Sequence, residues 1–290
     1  MCADRRWTAP GDRILLNLNK FPTFGGEAGR LAAGRPRYRP VPAGSGKMPA
    51  VVNHLIELLP RKDRLRLLAI SEPVELSLGE VIGESGAALR HVYFPTSSFV
   101  SLITPIDGKP VLEVGLVGRE GMVGSQLVLG IEVSPFQSLV QGGGTSWRIA
   151  TRDFSRELGR SKVLQHCLKQ YLYVLTVQLA NTAACTHFHL IGQRLARWLL
   201  MTQDRADSKN FHVTHEGLAY MLGVRRVGVT NAAHGLQRRG LINYRRGEMT
   251  VVDRRGLEAE ACSCYATDLL TYAQLMKKRR GLPAPKASRA

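Results

Sequence analysis

The chain has 290 residues, and its 40 lysines and arginines against 23 acidic residues give a formal net charge of +17. This length suits two ordinary domains, and a hydrophobic content of 44% excludes a chain that is disordered throughout. The five cysteines argue against a secreted disulfide scaffold and favour the cytoplasm, while the lack of a long apolar run argues against a membrane partner.

Most of the charge lies in two terminal segments. Residues 1–47 hold nine basic and three acidic residues, and residues 277–290 hold six basic and no acidic ones. Because Gly25–Lys47 is rich in glycine, proline, alanine and arginine, we expect residues 1–47 to be a disordered basic N-terminal extension. Its origin stays open between a functional basic arm and a segment upstream of a true start at Met48. Residues 277–290 are predicted to be a basic disordered tail.

Residues 48–155 are predicted to form a helix followed by a small β-roll. Leucines at helical spacing predict the helix over 53–70, broken at Pro60. Short apolar runs separated by glycines and prolines then indicate closely spaced strands. The predicted strands are Val92–Phe94, Phe99–Ile103, Val111–Val117, Gln126–Leu129, Phe136–Val140 and Ser146–Ile149.

Residues 153–202 are predicted to be helical, and 156–182 to be a dimerisation helix. Leucines recur there in steps of three and four, so that they share one helix face: Leu164, Leu168, Leu172, Leu175 and Leu179. This stripe could pack on its own domain or form a seam between two copies. We favour the seam, because a long apolar stripe beside a compact β domain requires a partner to cover it.

Residues 183–276 are predicted to contain a winged helix-turn-helix. Thr214 caps a first helix, Gly223 permits a left-handed turn, and a second helix follows over about Arg225–Arg239. A β-hairpin with its turn at residues 245–247 forms the wing. Three residues of the second helix are predicted to face inward: Val227, Ala232 and Leu236.

This arrangement is typical of a DNA-binding domain. An α-helix fits the major groove, where arginine can bind guanine or phosphate. Amide or hydroxyl groups there can hydrogen-bond to base edges or to the DNA backbone. Residues 212–255 hold eight arginines against three acidic residues, a local charge of +5. The residues predicted to contact DNA are Arg225, Arg226, Thr230, Asn231, Arg245 and Arg246. The alternative is a helical hairpin with a solvated basic face.

Two stretches resemble the Crp/Fnr family of bacterial transcription regulators. Thr214-His-Glu-Gly-Leu-Ala-Tyr-Met-Leu-Gly-Val-Arg-Arg-Val-Gly-Val-Thr, followed by Leu236-Gln-Arg-Arg-Gly-Leu-Ile, resembles the DNA-binding domain of that family. Val117-Gly-Arg-Glu-Gly-Met-Val-Gly124 resembles the glycine-rich part of its cyclic-nucleotide-type β-roll. The leucine stripe lies where the family has its dimerisation helix, so the order of all three parts agrees.

The resemblance implies an α+β fold and a regulator without enzyme activity. It implies a homodimer that places two recognition helices in successive major grooves of near-palindromic double-stranded DNA. By position, Arg226 matches the family's DNA-contacting arginine and Asn231 matches a second contact. RNA polymerase and a small-molecule effector are further partners that the resemblance implies.

The β-roll departs from members of the family that bind cyclic nucleotides. The resemblance places the effector pocket around Gly121, Gly124 and Ser125, but Ser125 stands where those members have a glutamate for the ribose hydroxyl. Residues 132–139, where the arginine for the phosphate is expected, hold no basic residue. We therefore predict an effector other than cyclic AMP. Two alternatives remain, namely an effector-independent regulator and a regulatory module that acts on a partner protein.

No cofactor or metal is predicted. Only Cys2 lies near the N-terminus, which argues against an iron–sulfur oxygen sensor of the Fnr type. Cys185, His187 and His189 have a spacing that could hold a metal, but packing and polar contacts at the hinge between domains are favoured. Cys262-Ser-Cys264 is too tight a spacing for a zinc pair. The sequence has neither a Walker lysine nor a Gly-x-Ser-x-Gly elbow.

Overall fold

The structure is a computed structural model that describes residues 53–104, 112–206 and 208–277, all of which lie in one unit of the chain. The predictions for residues 1–47 and 278–290 lie outside these described residues. Strands dominate the first part of the chain and helices the second, so the predicted α+β class is confirmed. Among the described residues, no helix is both long and apolar enough to span a membrane.

Two short helices, α1 (His54–Leu58) and α2 (Arg61–Ala69), flank the predicted break at Pro60. Asn53 begins the first of them, and its Oδ1 accepts hydrogen bonds from the backbone N–H groups of Leu55 and Ile56. Its Nδ2 donates to the carbonyl oxygens of Pro95 and Gly121, each at 2.9 Å. One buried amide therefore caps α1 and anchors it to the roll.

The β-roll consists of two antiparallel sheets. In the first sheet the order is β1 (Glu72–Leu76), β7 (Gly144–Ala150), β3 (His91–Pro95). In the second it is β2 (Val81–Gly83), β6 (Gln137–Gly142), β4 (Phe99–Thr104), β5 (Leu112–Val117). Buried valines from both sheets, among them Val74 and Val100, form a shared core.

The roll corrects the strand predictions at two places. Gln126–Leu129 lies in a 3-10 helix, Ser125–Leu129, rather than in a strand. Gly124 and Gly130 on either side have φ of +93° and +75°, so the chain turns at both ends and cannot extend along a sheet. Strands β1 and β2 were missed, because exposed polar residues and glycine leave them little apolar pattern.

The helical region comprises α3 (Thr151–Arg160), α4 (Lys162–Phe188) and α5 (Ile191–Ala206). The leucine stripe of α4 packs on its own chain. Leu164 and Leu168 lie in the core that α1 and α3 share with the roll, and Leu175 lies in the core between the sheets. Leu172 and Leu179 are half-buried on the same side. The chain itself therefore covers most of this stripe, contrary to the expectation that a second copy is needed to bury it.

The rest of the described chain forms a small three-stranded sheet and four helices. The elements are β8 (Asn210–His212), α6 (His215–Leu222), α7 (Arg226–Arg238), β9 (Ile242–Arg245), β10 (Glu248–Val251), α8 (Arg254–Glu260) and α9 (Ser263–Leu275). Helix α9 returns to α4, where Asn181 Nδ2 donates to Asp268 Oδ1 at 2.7 Å. The hydroxyl of Tyr272 donates to the carbonyl oxygen of Glu120 in the roll at 3.1 Å.

Candidate DNA interface

The turn between α6 and α7 has the predicted geometry. Thr214 Oγ1 accepts a hydrogen bond from the N–H of Gly217, which caps α6. Gly223 ends the helix with φ 61° and ψ 41°, the left-handed region that favours glycine. A Cβ at this position would lie 2.8 Å from Cδ1 of Leu112 on β5. The glycine therefore serves both the turn and the contact between this domain and the roll.

The inner face of α7 differs from the predicted one. Val229, Ala233 and Leu236 are buried in the core of the domain, whereas Val227 is 63% exposed. The helix begins at Arg226, and its core face is set by α5, α6 and β9, on which it packs. Of the three residues predicted to face inward, Leu236 is fully buried and Ala232 is half-buried against the core. The prediction for Val227 is wrong, because this side chain faces solvent.

The exposed face of α7 carries the predicted polar residues. Arg225, Arg226 and Asn231 are exposed, and His234 and Arg238 continue the same face toward the end of the helix. His234 was not among the predicted contact residues, although it lies three residues after Asn231 and so shares its face. The face presents guanidinium, amide and imidazole groups to solvent.

Thr230 is held by a neighbouring side chain. Its Oγ1 lies 3.0 Å from Nδ1 of His215 on α6 and 3.1 Å from the carbonyl oxygen of Arg226. The ring of His215 stacks on Tyr244 of β9, with centroids 4.3 Å apart. Burial lowers the pKa of His215, and nearby His234 and Arg226 lower it further. The His215 ring thus links α6, α7 and the wing.

The wing is a tight β-hairpin. Arg246 and Gly247 have φ of 53° and 88°, as a two-residue turn of type I′ requires. Arg245 and Arg246 are exposed at its tip. Within the described residues, Arg239 pairs with Glu260 at 2.7 Å and Arg254 with Asp204 at 2.7 Å. In that part of the chain the arginines of the α7 face and the wing tip form no ion pair: Arg225, Arg226, Arg238, Arg245 and Arg246.

The predicted effector pocket is a small cavity. A cavity of about 90 Å³ between the roll and α4 is lined by Gly124 and Ser125, together with Ser134 and Ser138. Gly121 does not line it, and a Cβ there would overlap the Tyr171 ring. No arginine or lysine among the described residues lines this cavity. Its volume is well below the roughly 300 Å³ of ordinary small-molecule pockets.

A larger cleft of about 570 Å³ lies between the roll, α4, α5 and α9. Arg205 Nε and Glu120 Oε1 form an ion pair at 2.8 Å on its wall. The hydroxyl of Tyr265 donates to Asp204 Oδ2 at 2.9 Å nearby. This cleft is large enough for a small molecule and is lined by both basic and acidic side chains, unlike the cavity at the predicted effector position.

A buried carboxyl group joins the roll to α5. Glu113 on β5 accepts hydrogen bonds from Ser101 Oγ at 2.5 Å and from Trp198 Nε1 at 2.9 Å. Burial raises the pKa of Glu113 to about 7, although these two hydrogen bonds oppose the rise. The carboxyl therefore changes its charge near neutral pH, at the contact between the two parts of the chain.

The cysteines lie differently from the sequence interpretation. Cys185 and His189 come together as their spacing on a helix predicts, but the exposed His187 does not join them. Cys262 and Cys264, treated separately in the sequence, lie beside this pair. Because Cys185 and Cys262 are 77 residues apart, only the return of α9 to α4 could reveal the cluster.

Residues 193–260 match the family model of the Crp-like helix-turn-helix domain. No curated protein sequence matches the chain significantly. The matched residues run from α5 to the end of α8 and include the turn, α7 and the wing.

The chain is also similar to solved structures. The c-di-GMP responsive global regulator CLP of Xanthomonas campestris has a TM-score of 0.55 and 16% identity, covering 66% of this chain and 99% of that one. FixK2 of Bradyrhizobium japonicum has a TM-score of 0.56 and 12% identity, covering 67% and 98%. A CRP/FNR-family transcriptional regulator of Thermus thermophilus has a TM-score of 0.54 and 20% identity, and the match covers 66% of this chain and 98% of that one. At these identities the likeness concerns the fold.

Proposed function

We propose that this chain, which has the Crp/Fnr regulator fold and a Crp-like helix-turn-helix domain at residues 193–260, binds DNA as a sequence-specific, homodimeric transcription regulator. The observation that carries the proposal is the exposed face of α7 beside the arginine-tipped wing. In this proposal Arg226 and Asn231 contact base edges in the major groove. Arg225, Thr230, Arg245 and Arg246 contact the backbone or adjacent bases.

The other face of α4 supports dimerisation. Opposite the buried leucines, Tyr173 is 60% exposed, and the exposed small residues Ala180 and Ala184 lie seven and eleven residues further along the helix, on the same side. Small side chains let two helix backbones approach closely, and a tyrosine can be covered by a partner helix. A dimer joined there would place two α7 helices on half-sites about 34–36 Å apart.

The effector is proposed to differ from cyclic AMP. The cavity beside Ser125 is small and has no cation among its described lining residues, so a phosphate there would lack a charged partner. The same observation favours a second candidate function, a regulator that binds DNA without any effector. A thermal-shift series with cyclic AMP, other nucleotides and no ligand distinguishes them. A robust shift with cyclic AMP would contradict both.

The decisive experiment is the selection of genomic DNA fragments by the purified protein, followed by sequencing. We expect a near-palindromic consensus with half-sites one helical turn apart. Binding to that duplex should weaken steeply with salt, since arginine–phosphate contacts release counterions. If no sequence is enriched and binding to random duplex is equally strong, the proposal is wrong, and a role in controlling a partner protein becomes the better account.

A further inference from the structure

We propose that Cys185, His189, Cys262 and Cys264 together bind one zinc ion. One donor atom from each residue lies within 4.8 Å of the other three. The sulfurs of Cys185 and Cys262 are 3.4 Å apart, and Cys264 Sγ is 3.7 Å from His189 Nδ1. Tetrahedral zinc with Zn–S bonds of about 2.3 Å requires ligand sulfurs about 3.8 Å apart. The four donors therefore already have the spacing of a single coordination sphere.

The donor set suits zinc in a structural role. Three thiols and one imidazole are a ligand set of structural zinc sites, which close all four tetrahedral positions. The three cysteines are buried and His189 is half-buried, which suits a closed structural site better than a catalytic one. Binding releases the three thiol protons to solvent and leaves a complex with a net charge of −1.

The ligands come in pairs from two helix ends. Cys185 lies in the last turn of α4, and His189 follows that helix with its N–H donating to the carbonyl oxygen of Cys185 at 3.1 Å. Cys262 precedes α9 and Cys264 lies in its first turn. The start of this helix brings both sulfurs into the same cluster, so the proposal departs from the expectation that their spacing is too tight for a zinc pair. Each pair is thus held by regular backbone structure, which fixes the donors before the metal arrives.

A neighbouring arginine matches the expected negative charge. Arg197 lies near enough for its charge to act on the thiols of Cys185 and Cys264. Its Nη2 pairs with Asp268 Oδ2 at 2.8 Å. Its Nε is buried and has no acceptor among the described residues. An anionic zinc–thiolate group would offer both an acceptor and a countercharge for this guanidinium.

The position of the cluster indicates what the ion does. The Crp-like domain spans residues 193–260, and two ligands lie just before it and two just after it. Zinc would therefore fasten the two ends of this domain to each other and to the end of α4. Cys185 and Cys262 are 77 residues apart, so the ion closes a long loop that the unfolded chain would leave open.

Metal analysis of the unaltered full-length protein, purified under reducing conditions without chelators, is the first test. We expect about one zinc per chain, released in step with thiol modification by a mercurial reagent. A wild-type protein that carries no zinc and takes none up from zinc solution, or that has a Cys185–Cys262 disulfide, would overturn the proposal.

Substitution of the half-buried histidine tests the ligand assignment with little risk to folding. His189→Ala should weaken zinc binding by more than about 100-fold, because losing partners that merely orient ligands already costs about 10–100-fold. His189→Cys should restore it by supplying a fourth thiolate. His187→Ala, two residues away, and Cys167→Ser, a buried thiol elsewhere on α4, should keep one zinc per chain.

Cobalt substitution reports the geometry without any mutation. Titrating Co²⁺ into the reduced, metal-free chain should produce the intense visible bands of tetrahedral cobalt–thiolate, saturating at about one ion per chain and displaced by zinc. Weak octahedral bands, or equal loss of zinc in the His187 and His189 variants, would contradict the assignment.

Discussion

Arg226 lies at the first position of α7 and is exposed beside the left-handed turn at Gly223. At the start of the second helix of a helix-turn-helix, a side chain can reach base edges in the major groove. Asn231 shares the exposed side of the helix, while the buried Val229 and Ala233 face the core and hold the helix in place. In the proposed interface, Arg226 and Asn231 are therefore the residues expected to read the operator sequence.

Replacing Arg226 with alanine should therefore weaken binding to the selected operator by about 1–3 kcal/mol, while binding to random duplex falls less. Gel-shift titrations at one salt concentration measure both. Arg160→Ala, which removes an exposed arginine at the end of α3, is the matched control and should leave both affinities unchanged. Unchanged operator affinity in the Arg226 variant would remove it from the interface.

Glu113 gives a second residue-scale prediction, on pH. Its pKa is raised by burial to about 7, so the folded protein holds a proton there that the unfolded chain loses at lower pH. The stabilisation is fully present below the ordinary pKa of 4.5 and is lost as pH rises through about 7. Between pH 5 and 8 the free energy of unfolding should fall by about 1–3 kcal/mol from this group.

Glu113→Gln keeps an acceptor for Trp198 and a polar partner for Ser101 but cannot ionise. Its unfolding free energy should therefore change less over the same pH range than that of the wild type. Denaturant unfolding at pH 5 and pH 8 measures the difference, in which the contributions of other titrating groups cancel. Exposed Glu132→Gln serves as the control, and parallel pH profiles for wild type and Glu113→Gln would refute the prediction.

At the scale of the element, α4 has two faces with different tasks. The leucine face is buried in the chain's own cores, and the opposite face carries Tyr173 and exposed alanines. Helix periodicity located the apolar stripe correctly, yet an apolar stripe does not state which surface covers it. The roll and α1 cover it here, so the dimer proposal moves to the opposite side of the same helix.

Two substitutions separate these tasks. Leu168→Ala should cost about 2–5 kcal/mol of folding free energy by opening a cavity, with no change in subunit composition at temperatures where it folds. Ala180→Glu on the exposed Tyr173 side should leave monomer stability nearly unchanged but place like charges in the dimer contact and yield monomers. Thermal unfolding and sedimentation measure the two effects. A fully dimeric Ala180→Glu protein would exclude this face as the seam.

At the scale of the whole molecule, charge is divided between terminal segments and the helix-turn-helix domain. Residues 1–47 and 277–290 each carry a net charge of +6, and residues 212–255 carry +5. In the sequence the terminal charges lie outside the helix-turn-helix domain, whereas five exposed arginines of the domain lie at α7 and at the wing tip. We therefore expect the terminal segments to strengthen binding to any duplex and the domain to select the sequence.

Deleting residues 1–47 and 277–290 together should lower affinity for random duplex and flatten its dependence on salt, because fewer counterions are released. Preference for the operator over random duplex should persist. Fluorescence-anisotropy titrations across a salt series provide both values. Loss of the preference on truncation would contradict this division.

Much of the molecule was predictable from local pattern, since local physics sets it. Pro60 had to interrupt the first helix, Thr214 had to cap and Gly223 had to turn, and alternating apolar runs had to pair in sheets. Two wrong predictions, the strand at Gln126–Leu129 and the buried position of Val227, show the limit of prediction from local pattern. A short apolar run can suit a strand, a 3-10 turn or a helix, and its neighbours in space select among them.

The sequence by itself determined the order of the parts, the helix-turn-helix with its wing and the exposed arginines. It also determined that residues 132–139 of the roll hold no arginine or lysine for a phosphate group. Each of these depends on residues close together in the chain. Only the tertiary structure decided which side of α4 is free, how small the roll cavity is and which cysteines meet. Cys185 and Cys262 become neighbours because α9 returns to α4 across 77 residues, and no spacing rule along the sequence contains that contact.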